Sequence, residues 1–130
     1  MLKIWCVLLF GTLGAFAQAP KLDNLMTGRA WEALPDTVKL FYAVGMRDGL
    51  TMAAYSLPPD VRELMMENTQ AKGFNPGDYV KELDRLYSER ENLNIAVPLA
   101  YQYVTTKLKG ASTAQQLEQM LIGLRKIMAQ

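Results

Sequence analysis

Histidine is absent from this 130-residue chain, and its single cysteine, Cys6, lies close to the N-terminus. Without histidine, Ser-His-Asp and Cys-His catalysis and imidazole metal ligation are excluded. With one cysteine there is no intrachain disulfide and no thiolate zinc cluster. Neither sign of charge dominates, at 14 Lys+Arg against 13 Asp+Glu. No basic run or basic stripe with interleaved aromatics is present, so a nucleic-acid partner is not expected. There is no G-x-x-x-x-G-K-[ST] phosphate loop and no Asp/Asn-rich calcium loop. No cofactor or metal is therefore expected.

The N-terminus has a distinct character. Met1 to Lys3 is a short charged start, Ile4 to Leu13 is apolar, and "AFAQA" supplies small residues at cleavage spacing. This is the three-part pattern of a secretory signal peptide. The apolar run falls short of the ~20 residues that span a bilayer. Cleavage after Ala17 is expected, because cleavage after Ala19 would place Pro20 next to the scissile bond. Cys6, in "KIWC", lacks the small residues that precede a lipoprotein cysteine. Residues 18–130 then form one domain, secreted or periplasmic, with no stable membrane insertion. That domain has no cysteine and a formal net charge of zero, since Lys3 leaves with the signal.

From Thr27 onward the apolar residues recur at helical spacing, which predicts a single all-α bundle of five or six helices. "TGRAWEAL" reads as a short helix capped by Thr27, with Trp31 and Leu34 facing inward. Pro35 opens a longer helix whose expected inner stripe is Val38, Phe41, Tyr42, Gly45, Gly49, Met52 and Ala53. Pro58-Pro59 ends it, and Asp60 is the expected cap of the next. After the loop "TQAKGFNPG", Asn75 caps a helix with Pro76 in its first turn, Asp78 at its positive end and a stripe from Tyr79 to Tyr87. "SERENLN" is a polar break. The following helix buries Val97, Ala100, Tyr101, Val104 and Leu108, leaves Tyr103 off the main stripe, and ends at Gly110. Ser112 with Gln115 forms the expected capping box of the last helix. That helix turns Leu117, Met120, Leu121, Leu124, Ile127 and Met128 inward.

"VGMRDG", in the second of these helices, poses a question. Each glycine in a helix interior costs about 0.8–1 kcal/mol relative to alanine. Gly45 and Gly49 either admit a crossing helix to close approach, as small residues do at helix contacts, or leave a binding surface open beside Asp48. Asp48 falls at the edge of the expected stripe, where a half-buried carboxylate needs a partner. The densest functional cluster is "YSEREN", with Glu89, Arg90, Glu91 and Asn92 on a connection between helices. Paired carboxylates can cleave a glycoside if an apolar environment raises one of them. Otherwise these residues form a polar connection, and loops on a rigid scaffold also serve as binding sites.

Two segments carry a resemblance. "GRAWEALPDTVKLFYAVGMRDGL" and "YSERENLNIAVPLAYQYVTTKLKGAS" resemble a group of small exported bacterial proteins of unknown function. These share W-x-x-L…K…Y-x-x-G-x-x-D-G followed by Y…E-N-x-x-I-x-V…A. More remotely, the helix with Tyr42, Gly45 and Asp48, the helix ending near Tyr87 and the helix with Ala100 are similar to Tai-type immunity proteins. Those are small helical periplasmic proteins that bind and block amidase toxins delivered by type VI secretion. This chain departs from them in lacking the cysteines that flank the first motif. The resemblance implies a helical fold and a protein partner.

The expectation is thus an exported, non-enzymatic helical protein-binding module, in its most concrete form an immunity-like inhibitor of a cell-wall enzyme. Its expected contact surface lies where the "SEREN" connection meets the "GMRDG" helix, through Arg47, Asp48, Glu89, Arg90, Glu91 and Asn92. Trp31, Tyr42, Gly45, Gly49 and Tyr87 have the structural roles. The alternatives are a small cell-wall hydrolase using Glu89 or Glu91 with Asp48, and a helical carrier of a small apolar ligand.

Overall fold

The computed structural model describes residues 22–130; the expected signal segment and its expected cleavage after Ala17 lie outside the described residues. Among the described residues six α-helices follow one another: α1 Gly28–Glu32, α2 Asp36–Tyr55, α3 Pro59–Thr69, α4 Pro76–Tyr87, α5 Val97–Lys109 and α6 Ala114–Met128. Short 3-10 turns at Leu22–Asn24 and Arg90–Asn92 complete the sequence of elements. Among the described residues there is no strand, only an isolated antiparallel bridge between Thr27 and Ala96. The fold is all-α, as the periodicity predicts.

The helix boundaries follow local chemistry. Asn75 accepts from the Asp78 amide while Asp78 accepts from the Asn75 amide, a complete capping box with Pro76 at the first position. Gly110 ends α5 in the left-handed region, at φ 68°, where a Cβ is disfavoured. One expected cap, Thr27, holds its place and two others are corrected. Thr27 caps α1 through its extended backbone without a side-chain hydrogen bond. The cap of α3 is Pro58, not Asp60, because Pro59 drives the residue before it into the extended region. The last capping box is Thr113 with Gln116, one residue later than Ser112 with Gln115. Both registers satisfy the same local pattern, and the chain reversal after Gly110 takes up Ser112.

The core gathers around the antiparallel pair α4 and α5, with Leu83, Tyr87, Ile95, Val97 and Val104 buried together with Trp31 of α1. Tyr79 and Tyr101 stack at 4.4 Å and 16°. The Tyr79 hydroxyl accepts from the Ala71 amide at 3.1 Å. Tyr103, expected at the surface, is buried, because α5 is covered by α6 as well as by α4 and α3. The connection before α5 also belongs to the core. Ile95 O accepts from both the Tyr87 hydroxyl (3.1 Å) and the Gly28 amide (3.2 Å), and Met26 O accepts from the Val97 amide (2.7 Å).

α2 packs on α4 and α3, and its orientation corrects the expected stripe. The inner residues are Lys39, Ala43 and Ala54, with Tyr42, Met46 and Leu50 half-buried. Val38, Phe41, Gly45, Gly49, Met52 and Ala53 face solvent. Ala43 and Gly45 are two residues apart, so their directions differ by roughly 200° around the helix. Both faces of α2 have helical periodicity, and two contacts choose between them. Ala43 and Ala54, fully buried, provide the close approach expected of the glycines. Lys39 donates to Asp84 Oδ1 at 2.9 Å, and the Trp31 indole donates to the same oxygen at 2.8 Å. The Lys39 ammonium also lies 5.7 Å from the Trp31 ring centre, against which Tyr42 stands edge-on at 5.9 Å. This pins α2 by its polar residue.

Candidate functional site

The solvent face of α2 presents Val38, Phe41, Gly45, Gly49, Met52 and Tyr55 in one line. Phe41 is 72% exposed, Met52 70% and Tyr55 60%. Isolated exposed apolar residues are ordinary, but a contiguous apolar patch with a polar rim marks a contact surface. The Tyr55 ring is held in place by the Arg62 guanidinium at 5.0 Å, which also donates to Tyr55 O and Leu57 O at the end of α2.

The glycines lie in the middle of this line. A Cβ built at Gly45 or Gly49 meets nothing within 4 Å, so the expected close crossing inside the bundle is overturned. Neither glycine has a left-handed backbone to accommodate. Each therefore carries the full helix-propensity cost with no gain in internal packing. Gly45→Ala and Gly49→Ala are each expected to raise stability by about 0.8–1 kcal/mol, read as a higher midpoint in thermal or urea unfolding. A loss of stability in either variant would contradict the open placement.

Asp48 is exposed, not half-buried at a stripe edge. Its carboxylate pairs with Arg47 of the same turn, at 2.9 Å from Nη2 and 3.0 Å from Nε. The pair lies within electrostatic reach of Tyr101, whose phenol is raised first by burial and then by Tyr79, with Arg47 opposing and Asp48 adding. Tyr79, on which Tyr101 stacks, lies in the first turn of α4.

The "SEREN" residues lie at the other end. Lys39 contacts α4 at Asp84, and Arg47 is eight residues further along α2, about 12 Å by helix rise. Glu89, Arg90 and Glu91 are exposed on the connection that leaves the C-terminal end of α4. Asn92 is 2% exposed and committed to the fold. Its Nδ2 donates to Leu86 O at 2.8 Å, and its Oδ1 accepts from Arg125 of α6 at 2.9 Å. Arg125 also pairs with Glu91 at 2.8 Å. The structure therefore ties this connection to α6 and does not join it to "GMRDG". Asn92 becomes a structural residue alongside Trp31, Tyr42 and Tyr87.

Of the carboxylates in the hydrolase alternative, Asp48 pairs with Arg47 and Glu91 with Arg125. Asp48 stands apart from Glu89 and Glu91. A groove of about 160 Å³ brings Glu82 and Glu89 together with Arg85, Asn92 and Lys107. Glu82 is ion-paired with Arg85, and with Lys107 at 2.6 Å. Its burial acts to raise the carboxyl, but Lys107 and Arg85 outweigh this and hold it below the usual range. A general acid at neutral pH needs the opposite shift. Two grooves of about 300 and 340 Å³ share Glu67, Gln70 and Lys72, a lining too charged for a purely apolar ligand. Among the described residues, no group of three or more His, Cys, Asp or Glu could hold a metal ion, and no helix is long and apolar enough to cross a membrane.

Sequence reasoning missed Asp84, which accepts from both Trp31 and Lys39, and assigned the exposed apolar line to the core. Lys39 was the available signal. A lysine on the expected outer face, with alanines at four and fifteen residues further on, defines a second stripe. Comparison with protein-family models, with curated proteins and with solved structures gives no match.

Proposed function

We propose that this is an exported, non-enzymatic module that binds another protein through the solvent face of α2. The observation that carries the reading is the apolar line from Val38 to Tyr55 with two glycines at its centre, on a helix whose opposite face is anchored by Lys39 and two buried alanines. A face of this kind combines large apolar anchors with a low centre, where a partner's side chains can approach the backbone. Retaining two glycines at a cost in stability, where nothing inside the fold uses them, is expected of a surface kept for contact. The concrete form is an immunity-like inhibitor of a cell-wall enzyme. Tyr42 and Tyr87, which carry part of the resemblance, pack in the fold, while Gly45, Asp48 and Gly49 lie on the free face.

The test is capture from the envelope fraction of the native host, comparing wild type with Phe41→Glu and Met52→Glu. Both positions are more than two-thirds exposed, so unfolding midpoints are expected to stay within about 0.5 kcal/mol of wild type. A specific partner should be lost from both variants, with binding weakened at least tenfold, and Glu89→Gln should retain it. Cleavage of cell-wall polymer by the protein, abolished by Glu82→Gln or Glu89→Gln, would overturn the reading in favour of a hydrolase.

A further inference from the structure

We propose that the charged groove beside the C-terminal half of α3 binds a short free peptide by its two charged ends. None of its lining residues belongs to the solvent face of α2, so the site goes beyond the reading of that face and does not rest on it. The first ground is unpaired charge of both signs. The two grooves of about 300 and 340 Å³ meet at Glu67, Gln70 and Lys72. One adds Glu63 and Met66 and has an excess of acid; the other adds Lys109, Phe74 and Leu108 and has an excess of base. Among the described residues, Glu63, Glu67, Lys72 and Lys109 enter no ion pair, whereas Glu82 and Arg125 each hold two partners. Opposite charges that line one hollow without reaching each other leave room for a ligand that pairs with both.

The second ground is that two polar groups are already held in place. Thr51 Oγ1 donates its proton to Arg47 O at 2.9 Å, so towards Gln70 Nε2, at 2.8 Å, it can only accept. Met66 Sδ accepts from the same nitrogen at 3.6 Å. This fixes the amide and leaves Gln70 Oε1 as an oriented acceptor without a partner among the described residues. Lys109 donates to Glu67 O at 2.8 Å, one of the last carbonyls of α3, and keeps two N–H donors. Groups ordered before binding lose less freedom on binding. The third ground is length. From Glu63 to Thr69, where α3 ends, the helix rises about 9 Å, and three extended residues span about 10 Å. The peptide amine then faces Glu63 and Glu67, its carboxylate faces Lys72 and Lys109, and a backbone N–H meets Gln70 Oε1. Phe74 and Leu108 line the basic end, so the C-terminal side chain is apolar.

The experiment is calorimetric titration of the purified protein with the tripeptide Ala-Ala-Leu and with its N-acetylated and C-amidated forms, with amide NMR shifts to locate the contact. The free tripeptide is expected to saturate the protein in the millimolar range, as suits so small a ligand, and to shift Gln70, Lys72 and Phe74. Blocking either end should weaken binding about two- to fivefold, the worth of a charge pair that faces solvent. Lys72→Gln should diminish the preference for a free carboxylate and keep the preference for a free amine, and Glu63→Gln should do the converse. Both positions are exposed, so both variants should keep the fold, verified by circular dichroism. No saturation in that range, shifts confined to other residues, or blocked forms that bind as well as the free tripeptide would each overturn the site. Variants that leave both preferences unchanged would overturn the assignment of its two ends.

Discussion

Replacing Gly28 with alanine is expected to cost about 3 kcal/mol, the upper end of what an overpacked core site loses. A Cβ at this position would lie 2.2 Å from Tyr87 Cδ1 and 2.4 Å from Cε1, so the ring or α1 has to move. Neither is free to do so. Tyr87 is 1% exposed, and its hydroxyl donates to Ile95 O, the same oxygen that accepts from the Gly28 amide. Moving the ring strains one hydrogen bond, and moving α1 strains the other. On a domain of this size the loss corresponds to a fall of roughly 12–20 °C in Tm, measured by calorimetry or circular dichroism. The same substitution at Gly45 or Gly49 is expected to raise Tm. A Gly28→Ala protein as stable as wild type would show that α1 does not dock against Tyr87.

The second large effect is expected at Asp84. Its Oδ1 accepts both the Trp31 indole N–H and the Lys39 ammonium. Asp84→Ala leaves the indole donor of a fully buried tryptophan unpaired, which costs about 1–3 kcal/mol. It also leaves Lys39, with a side chain only 11% exposed, without its counter-charge. The carboxylate side of the pair is 42% exposed, so solvent screens part of that second loss. A total of about 2–4 kcal/mol is expected, below the simple addition of a buried donor and a buried broken pair. Asp84→Asn keeps an acceptor for both donors and should lose about 1 kcal/mol, the net worth of the charge. Lys39→Met removes the charge that needs pairing and should be milder than Asp84→Ala. Urea unfolding of the three variants gives the order directly. If Asp84→Ala matched Asp84→Asn, the shared oxygen would not be what anchors α2.

The helices were legible from the sequence because each signal is local. Asn75 with Asp78, Gly110, and the stripe Tyr79, Leu83, Leu86 and Tyr87 each act within a turn or two, and the structure uses them as read. The all-α class follows from that periodicity alone. The candidate site was not legible in the same way. α2 carries two stripes of helical period, one with Phe41 and Met52 and one with Ala43, Met46 and Leu50. Apolar content favours the first stripe, whereas the bundle buries the second.

The sequence by itself determined which segments become helices and what chemistry the side chains can offer. Backbone hydrogen bonds, caps and proline constraints are satisfied between residues that are neighbours in the chain. The tertiary structure decided which way α2 turns and whether "SEREN" meets "GMRDG". It also decided that Asn92 is spent on Leu86 and Arg125, not on a partner. Those outcomes depend on contacts across many residues, such as Lys39 and Trp31 on Asp84, 45 and 53 positions away. No local pattern encodes a single carboxylate oxygen shared between two helices, and that oxygen sets which face of α2 meets water.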